Sequence, residues 1–158
     1  MNTLKKVCNH IFIDGLGGMT HGLFATLIIG TILQQIGTLI GGQAGTMIYQ
    51  AGKIAAALTS AGIGVGVAVK YRESSLVTVS AGIAAVIGGY ASQILAGTFF
   101  VDGNVIFSGP GEPLGAFIAA FIGITVGHLI SGKTKLDIIL TPVSVSYTHL
   151  TLPTTSRV

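Results

Sequence analysis

The chain has 158 residues, half of them hydrophobic and only 8% charged, with a mean hydropathy of +0.80; this balance excludes a water-soluble domain with a polar surface. The net charge of +3 is scattered over short segments and offers no basic face to a phosphate backbone, which argues against a nucleic-acid partner. The single cysteine, Cys8, excludes a disulfide framework and any Cys-x-x-Cys metal spacing.

The start, MNTLKKVCNHIFIDG, is basic but lacks an apolar core followed by a small-residue cleavage site, so no cleaved signal peptide is expected. Between residues 15 and 69 the only charged side chain is Lys53, and between 74 and 101 there is none, gaps long enough for spanning helices. The first span is expected over 18–40, ending at the helix-breaking GGQAG. A second over 46–69 stops at the charged turn KYRESS, and a third over 76–96 precedes the connector TFFVDGNVIFSGPGEP. The fourth, over 113–130, begins at Pro113, a residue suited to a first helical turn. KTKLDIIL then reads as the beginning of a fifth span, cut short. The expected fold is therefore an all-α membrane protein, a Gly-rich bundle of about four transmembrane helices with a truncated fifth.

Four spans place Lys5, Lys6, Lys70, Arg72, Lys133 and Lys135 on one side; the other side receives only GGQAG and the acidic connector with Asp102 and Glu112. Basic residues accumulate in the cytoplasm, so both ends of the four-span unit are expected there. Gly-x-x-x-Gly recurs at Gly18/Gly22, Gly37/Gly41, Gly62/Gly66, Gly111/Gly115 and Gly123/Gly127, a spacing that lets helix backbones approach closely. Tyr49, Tyr71, Phe99 and Phe100 supply a thin interfacial belt. Spans one and four also share a pattern: Gly18, Gly22, Phe24, Ile29 and Gly30 match Gly111, Gly115, Phe117, Ile122 and Gly123 at a constant offset, which is either an inverted repeat of the kind found in transporters or a coincidence in so Gly-rich a chain.

Polar groups inside spans point to function, because lipid penalises them unless they face a partner or a watery cavity. The substrate-binding candidates are His21, Lys53, Gln93, Glu112 and His128. Lys53 could hold an anionic or hydroxyl-rich ligand, or snorkel to the outer surface. His21 and His128 share a cytoplasmic depth and could pair as a proton relay, or be satisfied by backbone and water. Glu112, in SGPGEPLG, could present a carboxylate to a sugar hydroxyl if the loop folds back, or stand as a solvated acid at a helix start. No Walker loop, zinc-ligand pair or Ser-His-Asp set occurs, so no catalytic residue, metal or cofactor is expected.

From Thr141 onward, polar β-branched residues replace the apolar pattern. The segment VSYTHLTLPT, 145–154, resembles the read-through translation of a transposase adapter used in sequencing libraries. The expectation is two parts: 1–144, the N-terminal part of a longer transmembrane domain, and 145–158, a non-native tail excluded from fold reasoning. A polypeptide so cut is expected to be inactive alone.

At FIDGLGGMTHGLFATLIIGTILQQIG, and again at PLGAFIAAFIGITVGHLISGKTKLDIILTP, the chain resembles EIIC-type permease subunits of the bacterial phosphotransferase system, in a branch that includes perfringolysin-regulator-like proteins. The resemblance covers about 11–142. It implies a multi-pass protein of the bacterial cytoplasmic membrane that moves a sugar or polyol, assembles as a homo-oligomer, and works with soluble EIIA and EIIB phosphocarriers fed by phosphoenolpyruvate. The Glu112–Pro113 pair is similar to the Gly-x-x-Glu-Pro loop of sugar permeases, with different surrounding residues; Cys8 is unlike the phosphorylated cysteine of an EIIB domain. Two alternatives stand beside the permease: a membrane-embedded regulator that keeps the permease fold and senses a ligand, and an ion-coupled secondary transporter.

Overall fold

The computed structural model describes residues 10–101, 103–130 and 143; Lys5, Lys6, Cys8, Asp102, Lys133, Lys135, the expected fifth span and the 145–158 tail lie outside the described residues. Six helices and one small hairpin make up the described chain.

Helix α1 is continuous from His10 to Ile40, with α-helical Leu16–Leu23 and Ile29–Ile40 and π-helical His10–Gly15 and Phe24–Ile28. Its apolar part, Ile13–Ile40, has 28 residues and so is ~42 Å long, enough to cross a hydrocarbon layer of about 30 Å. Thr20, Thr26 and Thr31 return their hydroxyl protons to the carbonyls of Leu16, Gly22 and Leu27, which satisfies them without water. Gly41 and Gly42 then reverse the chain at φ +64° and +61°, a backbone that side-chain-bearing residues rarely adopt.

The returning arm is α2, Gly42–Ala57, followed by α3, Thr59–Lys70, with a bend of 49° at Leu58. Glycines bring this arm against α1. A Cβ on Gly18 would lie 2.7 Å from Gly66 O, one on Gly30 would lie 2.9 Å from Gly52 O, and one on Gly37 would lie 2.7 Å from Gly45 O. Two of the expected Gly-x-x-x-Gly pairs, Gly18/Gly22 and Gly62/Gly66, thus face each other across one seam.

Ser74 caps α4, Ser75–Gly89, by accepting from Val77 N–H. Tyr90 breaks that helix, and the short α5, Ala91–Leu95, follows. The connector contains β1, Phe100–Val101, and β2, Asn104–Val105, paired antiparallel with Phe100 opposite Val105. Helix α6, Pro113–Ile130, coincides with the expected fourth span. Gly18 lies within a helix whereas Gly111 lies in the connector at φ +73°, so the pattern shared by spans one and four does not extend to backbone conformation.

The core lies where α3, α4 and α6 meet: Ile63, Val67 and Ala68 pack with Val77, Ala81, Ala85, Ala116, Phe117, Ala120 and Ile124, fringed by Met19, Leu23 and Tyr71. Alanine and glycine at these contacts let the axes come close, which favours dispersion between backbones rather than interdigitation of long side chains.

The second and third expected spans are therefore broken helices. Among the described residues one helix is long and apolar enough to cross a membrane, or two if α2 and α3 count as a single bent span. Helix α4, with 15 residues, extends only ~22 Å.

Candidate functional site

The two breaks and the folded-back connector meet at one level. Tyr90, fully buried, places its hydroxyl 2.6 Å from Gly109 O in the connector and 3.0 Å from Ala57 O at the end of α2, so one proton serves two carbonyls left over by interrupted backbone. Ser60, equally buried in the first turn of α3, donates to Pro110 O at 3.1 Å. The Glu112 N–H donates to Gly89 O at 2.7 Å, which ties the start of α6 to the end of α4. Gln93 on α5 donates from Nε2 to Ser108 O at 3.1 Å, while its Oε1 is buried without a hydrogen-bond partner. An unsatisfied buried acceptor costs about 1–3 kcal/mol. That oxygen is a standing demand for a donor.

Gly111 is required here both by its φ of +73° and by space, since a Cβ would meet Ser60 Oγ at 2.5 Å. Around the junction Tyr90 contacts Phe99 and Phe107 with ring centroids 5.5 and 5.2 Å apart, and Phe99 contacts Phe100 at 5.2 Å. Phe99 is buried, whereas Phe100 and Phe107 leave about half their surface open. The Glu112 side chain is also exposed beside this cluster's connector.

Of the five sequence candidates, the fold brings Gln93 and Glu112 to this junction. Lys53 stands exposed on α2, one turn before the helix ends. The two histidines have separate partners at the other end of the molecule. His21 Nδ1 donates to Gly17 O at 2.7 Å, and His128 Nδ1 lies 3.1 Å from Glu73 Oε2, joining the end of α6 to the turn after α3. In that same turn, burial and then the charge of Asp14 push the Tyr71 phenol above its ordinary range, so it stays a neutral donor. Among the described residues no three His, Cys, Asp or Glu side chains cluster as metal ligands would.

Sequence reasoning missed Tyr90 and Ser60. The available signal was GGY at 88–90, a hydroxyl-bearing aromatic after two small residues in mid-span, where a helix can break and the hydroxyl can repair the break.

The described chain thus has two interrupted helices that meet around a polar loop within an otherwise apolar bundle. The family model described as "Phosphotransferase system, EIIC" matches residues 13–152, and the chain belongs to that family. It is thus a permease-type subunit of the sugar phosphotransferase system, a bacterial inner-membrane protein whose family works with EIIA and EIIB components. The match continues past the change in composition at Thr141 and ends inside the segment 145–158. No curated protein and no solved structure matches the chain.

Proposed function

We propose that this chain serves in a permease subunit that moves a sugar or polyol across the cytoplasmic membrane, that it is inactive by itself, and that the substrate is held at the junction of the two helix breaks and the 108–112 loop. The observation that carries this reading is the convergence of Tyr90, Ser60, Gln93 and Glu112 on one loop within an apolar bundle. The open faces of Phe100 and Phe107 suit the apolar face of a sugar ring. Glu112 and the unsatisfied Gln93 oxygen suit its hydroxyls as acceptors. In this reading His21 and His128 lie on the cytoplasmic release side, and Lys53 on the outer approach. The protein assembles as a homo-oligomer.

Helix lengths support placing the junction within the membrane. From the cytoplasmic turn at 71–74, α4 rises ~22 Å before Tyr90, less than the hydrocarbon thickness of about 30 Å. Irregular backbone at that depth is tolerated only when buried in protein or lining a watery cavity, and the bonds to Tyr90, Ser60 and Gln93 provide the first of these. The chain then passes four times, counting α1, α2 with α3, α4 with α5, and α6, with the N-terminus cytoplasmic. A membrane-impermeant maleimide should label Cys8 in inverted vesicles and leave it unlabelled in intact spheroplasts, whereas a Gln43→Cys, Cys8→Ser variant should show the opposite pattern. Labelling of both sites from the same side would refute the orientation.

Transport is tested by uptake of a panel of radiolabelled sugars and polyols in cells expressing the whole permease subunit with EIIA and EIIB. The expected result is uptake of at least one compound that requires phosphoenolpyruvate and both partners. Uptake that persists without the phosphoryl relay would instead indicate an ion-coupled carrier, and a transcriptional response without uptake would indicate a sensor.

A further inference from the structure

A cavity of about 880 Å³ lies between α1 and α3 and runs from the turn at Lys70 and Arg72 to Gly62. Its floor is the glycine seam of Gly18, Gly22, Gly62 and Gly66, and Ala25, Val65 and Val69 form its apolar wall. It opens sideways. Ile63 and Val67 on α3 are fully buried toward α4 and α6, whereas Val65 is 40% and Val69 61% exposed on the other face. One end of this groove carries Lys70 and Arg72, with His21 and Asp14 beside them.

Two observations bear on what fills it. Lys70 and Arg72 make no ion pair among the described residues, and together they outweigh Asp14. Arg72 also occupies an unusual place. The Arg72 and Glu73 N–H groups bond Val69 O and Ala68 O at 3.0 and 3.1 Å, the hydrogen bonding of a Schellman cap in which the residue after the C-cap is normally glycine. Arg72 holds that position at φ 57°, the only non-glycine residue with positive φ among the described residues. Arg72 thus keeps its guanidinium at the groove's end where glycine would suit the backbone better.

We infer that this groove is a site for an anionic phospholipid of the inner leaflet, with the phosphate at Lys70 and Arg72 and an acyl chain along Val69, Val65 and Ala25. This inference rests on the proposed orientation, in which Lys70 and Arg72 lie on the cytoplasmic side where anionic headgroups are found, and basic pockets between helices on that side are suited to them. From Lys70 to Gly62 the groove runs ~12 Å along α3, room for a substantial length of acyl chain below the headgroup. Charge complementarity at one end and an apolar wall along the rest select a lipid over a soluble anion, which would gain nothing from the wall.

The test is native mass spectrometry of the detergent-purified protein titrated with phosphatidylglycerol, phosphatidylcholine or inorganic phosphate. The wild-type protein should retain phosphatidylglycerol in preference to phosphatidylcholine, and Lys70→Gln with Arg72→Gly should weaken that retention roughly tenfold or more. Arg72→Gly relieves the positive φ, so lipid-free thermal stability of this variant should equal or exceed wild type, separating lost binding from lost folding. Ala25→Leu, which fills the groove and leaves the charged rim intact, should also weaken lipid retention. Equal retention of the two lipids, unchanged retention in the variants, or equivalent binding of inorganic phosphate would each overturn the assignment. So would a dimer whose formation, rather than lipid, protects Lys70 from modification.

Discussion

Gly22→Ile should prevent α1 and α3 from docking and destabilise the protein by about 3 kcal/mol or more, at the upper end of the range for overpacking. A Cβ at Gly22 would collide with the Gly62 carbonyl and lie 2.7 Å from Ile63 N. Both are backbone atoms of a neighbouring helix, so no rotamer change can make room; the helices must separate along the seam that also includes Gly18 and Gly66. Gly17→Ala provides the contrast. At Gly17 the nearest atom to an added Cβ is Lys70 Cε at 3.9 Å, and alanine is the better helix former by ~1 kcal/mol. Thermal unfolding in detergent should therefore show Gly22→Ile far below wild type and Gly17→Ala at or above it. Similar behaviour of the two variants would mean that α1 and α3 do not pack through this seam.

The second large effect concerns the junction. Tyr90→Phe removes the proton shared between Gly109 O and Ala57 O while keeping the ring against Phe99 and Phe107. Burial of those carbonyls without a donor costs about 1–3 kcal/mol and loosens the connector from the helix breaks. Glu112→Gln acts differently, since the Glu112 backbone N–H holds Gly89 while its carboxylate is exposed and, in the proposed site, faces the substrate. Tyr90→Phe is expected to lower stability and transport together, and Glu112→Gln to lower transport alone. A charged acceptor contributes more than a neutral one, so the transport loss for Glu112→Gln should be at least about tenfold.

Much of this architecture can be read from residue order because lipid imposes simple rules. Apolar length marked out α1 and α6, and glycine spacing anticipated the seam between α1 and α3. Hydropathy averaged over a window was silent about Leu58 and Tyr90, where the breaks occur without a charge or a proline. A break is decided by partners distant in sequence: Ala57 O is acceptable without its helical donor only because Tyr90 Oη arrives from 33 residues away. The same holds for the site. Glu112 and Gln93 stood out by type, but their common loop emerged only from the fold, and His21 and His128, which could have paired, have different partners.

The most direct test of the junction as the substrate site is sugar uptake, dependent on phosphoenolpyruvate and on EIIA and EIIB, by Glu112→Gln compared with wild type at matched membrane abundance. A loss of at least about tenfold is expected, with thermal stability unchanged. Uptake by Glu112→Gln at the wild-type rate, with the same substrate preference, would contradict it.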